Sequence, residues 1–438
     1  MIKLFERRRR ITVQRIKKKK SPFIYKAYSK KPKHTWLKKR KAAEMRFKSA
    51  GCIAILIASL FLVSLVWNIV SSGRSAFTET QIMLPITFDA ELVEKGSYRK
   101  IVQNALLEVF PDVEGRKEKR ALFVLPSRNA PYELKELVKV NPDFIGTKQE
   151  LWILASSAVS VFYKQRLLEE SARIGNINGT QAAWITQLAQ SKKMRLHYNF
   201  SFFKNGDSRE AEQAGVLVST IGSFLTILVC ILMAFPLGVA TAIYLEEFAP
   251  KNWFTDFIEI NINNLAAVPS IIFGLLGLSI YLNFFGMPRS SSLVGGMVLA
   301  LLILPVIVIS TRNALQAVPS SIRYAAAALG ATPVQVVFHH TLIYALPGIM
   351  TGVILSIARA FGETAPLLMI GMVAFIADIP RNFIDPATTL PVQVYLWANN
   401  PELGFIEKTA AAIMVLLGFM ILMNLLAIYI RRRYEIKW

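Results

Sequence analysis

The segment ILSIARAFGETAPLLMIG, residues 354–371, decides how the chain folds, because it places two opposite charges in a strongly apolar stretch. Arg359 and Glu363 are four residues apart, so on a continuous helix their side chains lie on one face, about one turn apart. A charge at the centre of a membrane helix costs roughly 2.5–3.5 kcal/mol on insertion scales, so such residues normally face a bundle interior or an aqueous path. The segment therefore predicts a membrane helix with an internal polar site.

Two interpretations of this pair remain open. The arginine and glutamate could neutralise each other and hold two helices together, or the arginine could contact an anion that passes through the protein. Gly362 and Pro366 flank the pair, and a proline has no N–H, which weakens the helix where a polar group could enter.

The composition excludes an ordinary soluble protein. The 438 residues are 53% hydrophobic with a mean hydropathy of +0.40, and several segments reach the ~20 apolar residues that span a bilayer. The two cysteines, Cys52 and Cys230, lie inside apolar segments, so neither a disulfide framework nor a zinc site is expected. No GxxxxGK[ST] phosphate-binding loop occurs, and ATP that drives this protein would be bound by another chain.

The formal charge of +22 is concentrated at the N-terminus, in the runs at 7–10, 17–20 and 38–41. Residues 1–49 are predicted to form a basic cytoplasmic tail, which cannot build a core. Anionic lipid is its expected partner, at ~1 kcal/mol per basic residue near the surface. Nucleic acid is not expected, because the tail has too few aromatic side chains for a stacking platform.

Residues 50–70 are predicted to be an uncleaved first transmembrane anchor, since the basic region is longer than that of a secretory signal. Residues 71–212 are charged and mixed, and they are expected to form a periplasmic domain of unknown fold. Within it, the apolar segment Leu151–Phe162 is too short to span a bilayer and is interpreted as a core helix.

Residues 213–438 are predicted to form a membrane core of five helices. Its spans are expected at residues 214–245, 265–285, 293–310, 344–376 and 408–430. Gly274 and Gly277 of the third span are expected to permit close helix contact, and the fifth span is expected to be interrupted at Gly362–Pro366. If the chain has six spans and both termini are inside, residues 377–407 lie outside. Residues 246–261 and 311–343 then lie inside. The acidic stretch Leu245–Glu259 disagrees with this topology, but acidic residues contribute little to orientation.

The polar interval 311–343 contains a helix–turn–helix signature. An alanine-rich helix ends near Gly330, and Thr332-Pro333 opens another helix. A plain connector is the alternative, although it rarely needs thirty residues. Arg312, at the start of this interval, is a possible second anion contact, but such an arginine more often extends its side chain to the membrane interface.

Ala325-Ala326, Gly330 and the following helix resemble the loop by which ABC-importer permeases engage their ATPase. Together with VPSIIFGLLGL (268–278) and ARAFGETAPLLMIGMVAF (358–375), this loop makes residues 210–438 similar to the A-type permease subunit of phosphate importers. Residues 1–210 resemble an N-terminal extension. Tyr324 replaces the glutamate of the loop, and Leu342-Ile343 replaces its Leu-Pro pair, so docking would depend on shape rather than on that carboxylate.

The resemblance implies an all-α integral membrane protein with six transmembrane helices, a type I ABC-importer (MetI-like) core and an extramembrane domain, in a bacterial inner membrane. It implies a C-type second permease subunit, an ATPase dimer that binds ATP and Mg, and a periplasmic phosphate-binding protein. By motif match, Arg359, Glu363 and Thr364 belong to the substrate pathway, and Tyr324, Ala325, Ala326 and Gly330 to the ATPase-coupling loop. No catalytic residue, metal site or cofactor is expected on this chain.

Two alternatives from other classes stay open. The chain could be an importer permease for another solute, because the docking loop is shared across substrates. It could also be a membrane receptor whose outer domain senses a ligand. A receptor does not explain charged residues inside a bundle.

Overall fold

The computed structural model describes residues 34–167, 177–373 and 375–434. It consists of two units, one ending at Asn68 and the other beginning at Ile69. The basic runs at 7–10 and 17–20 lie outside the described residues, and the prediction made for them rests on sequence alone.

The first described element is a single helix, His34–Gly73, which we call the anchor helix. The predicted span at 50–70 lies inside it, and the helix also continues through the basic residues at 38–41. Its large apolar side chains are exposed, including Phe61 (73%) and Trp67 (74%). A 40-residue helix with such a surface is suited to a hydrocarbon surrounding rather than to water.

The described residues between 78 and 204 form an α/β domain. Its sheet has three antiparallel strands, β1 (Thr78–Thr87), β2 (Lys148–Leu154) and β3 (Met194–Tyr198), in the order β2-β1-β3. Alternate residues of β1 are buried on one face, where the helix Tyr98–Val109 packs. The other helices are Ala90–Glu94, Arg116–Leu122, Ala130–Val140, Ser157–Leu167, Gly179–Gln190 and Ser201–Lys204.

The prediction of a core helix at Leu151–Phe162 is wrong in part. Its first residues belong to β2, in which Ile153 pairs with Ile82, and the helix begins only at Ser157. The apolar run was too short to distinguish a strand from a helix by periodicity. Its position in the domain core is confirmed, because Ile153 and Val159 are buried.

The α/β domain is attached to the start of the last membrane helix. The Lys164 ammonium donates to Glu407 over 3.1 Å and to the Ser75 carbonyl over 2.7 Å. The Ser157 hydroxyl donates to Glu402. The Asn129 amide donates to Gln213 over 2.7 Å, just before the second span.

Within the described residues, five helices are long and apolar enough to cross a membrane, or six if one bent pair is a single span. Four follow the α/β domain: the second span helix Leu217–Ile243, the fourth span helix Ser292–Gln316, the fifth span helix Leu342–Gly362 and the last span helix Leu403–Tyr434. The second and fourth span helices pack tightly, because Gly296 of one lies against Val229 of the other.

The third span, expected at 265–285, is not one continuous helix. The chain forms two helices there, Trp253–Ala266 and Ser270–Gly277, the second of which continues as a π-helical segment Leu278–Phe284. The two are bent by 101°. Pro269 caps the second helix with an extended ψ of 136°, since a proline cannot donate into the preceding turn. We call this element the bent pair.

The fifth span also differs from the expectation. Helical structure begins at Pro333, earlier than the expected start at residue 344, and runs through a π-helical segment Val336–Thr341. It ends at Gly362, where the predicted interruption begins. A short helix, Ala365–Met369, follows the break. The helix Leu390–Ala398 then leads to the last span helix.

Candidate functional site

Arg359 lies in the last turn of the fifth span helix, and Glu363 lies just beyond the end of that helix. Glu363 has φ −82° and ψ 116°, an extended conformation, so the two residues do not share one helical face as the spacing predicted. Their side chains still approach each other, with Arg359 Nε 3.9 Å from Glu363 Oε1. This distance permits electrostatic attraction but exceeds the range of a hydrogen bond.

The Arg359 guanidinium is accessible in this chain. Its side chain is 43% exposed and that of Glu363 is 23% exposed. An arginine in this position can therefore bind an anion through its unused donors, because the guanidinium carries five N–H groups in a fork that matches phosphate oxygens.

The helix break that positions Glu363 is packed against the bent pair. A Cβ built on Gly274 would lie 2.7 Å from Pro366 Cα and 2.9 Å from Met369 Cβ, which leaves room only for glycine. The two distinctive motifs, at 268–278 and 358–375, therefore meet in space. The prediction that Gly274 permits close helix contact is confirmed.

Thr364 follows Glu363 in the break and precedes the short helix Ala365–Met369. Its carbonyl accepts a hydrogen bond from the Leu368 N–H over 3.0 Å, while its side chain makes no capping hydrogen bond. Behind the break, Phe361 lines a cavity of ≈ 10 Å³ together with Thr226 and Thr389. Such a volume is at the lower limit for one water molecule, so it is not a phosphate site in this conformation.

Arg312 is engaged by carboxylates of its own chain. Its Nη2 donates to Glu259 Oε1 over 2.8 Å, and its Nε and Nη2 lie 3.4 Å from Glu246 Oε2. The side chain is 18% exposed. In this arrangement it ties the bent pair to the fourth span helix, and its guanidinium already has carboxylate partners.

The acidic stretch that disagreed with the topology is neutralised in the same region. Arg323 Nη2 donates to Glu247 Oε1 over 2.8 Å and to the Leu315 carbonyl over 2.8 Å. Glu246 accepts from Gln316 over 2.9 Å. Residues 246–259 and 312–323 therefore lie on the same side of the bundle, as six spans require.

The coupling loop contains one separate helix, Ser320–Ala328, rather than the two that the sequence suggested. Gly330 follows it with φ +85°, which confirms the predicted turn. Thr332 and Gln335 form a capping box with Pro333 at the first helical position, but this second helix is the start of the fifth span. The part of the loop from Pro333 onward and the Arg359 helix are thus one continuous element.

The exposed side chains of this loop are apolar to an unusual degree. Ala326 is buried, whereas Tyr324 is 73% and Leu329 is 90% exposed. Val334 and Phe338 are exposed as well. Leu329, Val334 and Phe338 were not predicted from the sequence, although a leucine beside a turn glycine was a signal that could have indicated Leu329.

Two glutamates of the α/β domain and one that follows it have raised pKa values for a simple reason. Burial raises the pKa of Glu79, Glu133 and Glu212 above the ordinary 4.5. For Glu212, the nearby carboxylates of Glu210 and Glu402 raise the pKa further, while Ser127 opposes the rise. These groups lie at the junction with the last span and not near Arg359.

Residues 234–436 match the family described as binding-protein-dependent transport system inner membrane component, and residues 34–173 match a domain of unknown function, DUF3333. The phosphate transport system permease protein PstA of Pasteurella multocida is 34% identical over 216 residues, which are 49% of this chain and 76% of that protein. The PstA of Haemophilus influenzae is 34% identical over 214 residues, which are 49% of this chain and 74% of that protein.

The probable ABC transporter permease protein YqgH of Bacillus subtilis is 34% identical, over 51% of this chain and 73% of that protein. Among solved structures, the MetNI methionine ABC transporter in an inward-facing conformation has a TM-score of 0.39 at 18% identity, covering 51% of this chain and 95% of the matched chain.

Proposed function

Because this chain belongs to the family of PstA-like phosphate transport permeases and carries an additional N-terminal extension, we propose that it moves inorganic phosphate across the inner membrane past Arg359. It is a transport subunit of an ABC importer, with the multi-pass membrane core of that family. The role of Arg359 is the part of this proposal that rests on geometry.

The observation that carries it is the loose pairing of Arg359 with Glu363. At 3.9 Å and 43% exposure, the guanidinium is held near a carboxylate without being saturated by it. A phosphate can therefore take the paired N–H donors, and the nearby Glu363 carboxylate, which repels the anion, favours its release. Transport needs both steps, since a site that only binds would retain its substrate.

The energy for this cycle would come from a partner chain. We assign ATP and Mg to an ATPase dimer, because this sequence has no phosphate-binding loop. The apolar surface around Tyr324 and Leu329 is suited to dock on that ATPase by shape, without the usual loop glutamate. Since the loop continues directly into the fifth span helix, its movement would reach Arg359 through one helix.

The remaining partners follow from the same family. They are a C-type second permease subunit beside the bundle and a periplasmic phosphate-binding protein that delivers the anion. We place both termini in the cytoplasm and the α/β domain in the periplasm. The basic residues at 38–41, at the start of the anchor helix, would then face the anionic lipids of the inner leaflet.

The direct test is phosphate uptake in cells that lack this chain. Radiolabelled phosphate uptake should fall and should return when the gene is supplied, and a pull-down should recover an ATPase. Sulfate uptake provides the control for general membrane damage. Restoration of another solute's uptake, with phosphate uptake unchanged throughout, would replace phosphate by that solute.

A further inference from the structure

The second, fifth and last span helices enclose an apolar groove at one end of the bundle. The groove has a volume of ≈ 260 Å³ and is lined by side chains from all three helices, among them Phe235, Val353 and Ala427. Asn424 is the one polar residue among those that line it. The proposed phosphate path does not use this space.

The end of the groove is marked by a cation. Ile430 is the last lining residue, and Arg431 follows it directly. Arg431 Nη1 donates to the Thr351 hydroxyl over 3.1 Å, next to the lining residue Met350. Its Nε is buried and has no hydrogen-bond partner within the described residues. One donor of the guanidinium therefore lacks an acceptor at the mouth of an apolar groove.

From this arrangement we infer that the groove holds an acyl chain of an anionic phospholipid, whose phosphate pairs with Arg431. A buried donor without a partner is costly, and a lipid phosphate supplies the acceptor in the fork geometry that arginine prefers. Arg432 and Arg433 follow in the same helix and add to the attraction of a negative headgroup.

The cation favours an anionic lipid over an uncharged helix face of a partner subunit, because the buried Arg431 Nε needs an acceptor. An acyl chain is thin enough to lie between three helices. The bound lipid would contact the fifth span helix between Met350 and Ile357, directly before Arg359.

The test is photo-crosslinking of the assembled transporter in nanodiscs, using phosphatidylglycerol with a photoreactive acyl chain. Peptides of the fifth and last span helices should carry the label. Phosphatidylcholine with the same chain should label them less, and excess unlabelled phosphatidylglycerol should compete. Inorganic phosphate should not compete, which distinguishes a lipid headgroup from the free anion.

Two matched pairs of variants make the test specific. Ala427→Trp fills the groove and should abolish the label, whereas Leu422→Trp, on an exposed position outside the groove, should not. Arg431→Gln should lower phosphatidylglycerol labelling about fivefold, with Arg289→Gln, at an exposed position that does not line the groove, as the control. If Ala427→Trp assembles poorly, the arginine pair decides alone. Equal labelling by both lipids, an unchanged label in Arg431→Gln, or a partner-subunit segment cross-linked in the groove would overturn the inference.

Discussion

Gly330 has a φ of +85°, and a Cβ built on it meets no atom within 4 Å. The demand at this position is therefore conformational and not steric. A left-handed backbone costs an ordinary residue roughly 1–2 kcal/mol, and asparagine tolerates it better than other side chains. The residue sets the angle between the loop helix Ser320–Ala328 and the long helix that ends near Arg359.

Gly330→Val should therefore reduce the coupling of ATP hydrolysis to phosphate transport without preventing membrane insertion. Gly330→Asn is the matched control, and it should keep most of the activity because it accepts the positive φ. The measurement is uptake per hydrolysed ATP in proteoliposomes. Equal coupling in the valine and asparagine variants would show that the loop is only a connector.

Arg312 differs from Arg359 because its partners are already in place. Loss of its hydrogen bonds to Glu246 and Glu259 should cost roughly 1.5–3 kcal/mol. We therefore expect Arg312→Gln to lower permease abundance in the membrane while uptake per remaining molecule stays near normal. Arg289→Gln, at an exposed position, is the control. Normal abundance with lost uptake would instead make Arg312 an anion contact.

Helices that break inside the membrane core define the site. The bent pair turns by 101° before Ser270. The fifth span helix ends at Gly362, and the short helix Ala365–Met369, which contains Pro366, follows. The sequence showed both prolines and the glycines, and from them the close contact at Gly274 and the turn at Gly330 were predictable. The sequence did not show the bend between the two helices of the bent pair, because the number of consecutive apolar residues gives the length of a helix and not its direction. The strand β2 was missed for a similar reason, since its short apolar run has no clear period.

The α/β domain provides a pH test of its attachment. Burial raises the pKa of Glu212 above 4.5, so the folded form binds the proton more tightly than the unfolded chain does. The free energy of unfolding should then increase as pH falls through the raised pKa towards 4.5, and it is lowest above the raised pKa. Glu212→Gln removes the ionisation and should stabilise the protein at neutral pH.

The measurement is the melting temperature of the purified protein at neutral and mildly acidic pH. The difference between wild type and Glu212→Gln should shrink as the pH falls. Glu94→Gln, at an exposed glutamate, should follow the wild type throughout. A lower melting temperature of Glu212→Gln at neutral pH would mean that the ionised carboxylate stabilises the fold.

The whole molecule combines the membrane core of the family with an N-terminal extension. The α/β domain of this extension contacts the core before the second span and at the start of the last span helix. The number of spans and the family were accessible from the sequence, because apolar length and three motifs carry that information. The attachment through Lys164 and Glu407 was not, since the two residues are 243 positions apart. Neither residue belongs to a recognisable motif.

The topology can be tested on exposed positions of this architecture. In a variant without the native cysteines, Val140→Cys in the α/β domain, 75% exposed, should react with an impermeant thiol reagent in intact cells. Leu329→Cys in the coupling loop should react only after permeabilisation. Ser127 is a poor labelling site, because it is 2% exposed. The opposite pattern at the two positions would invert the orientation.

The central claim is that Arg359 contacts phosphate during transport, and it is tested by uptake normalised to the permease in the membrane. Arg359→Gln should assemble but lose uptake, and Arg359→Lys should recover only part of it, because an ammonium cannot make the planar paired contact. Arg359→Gln combined with Glu363→Gln should be stably inserted and remain inactive. Full uptake in this double variant would contradict the claim and leave only a structural ion pair.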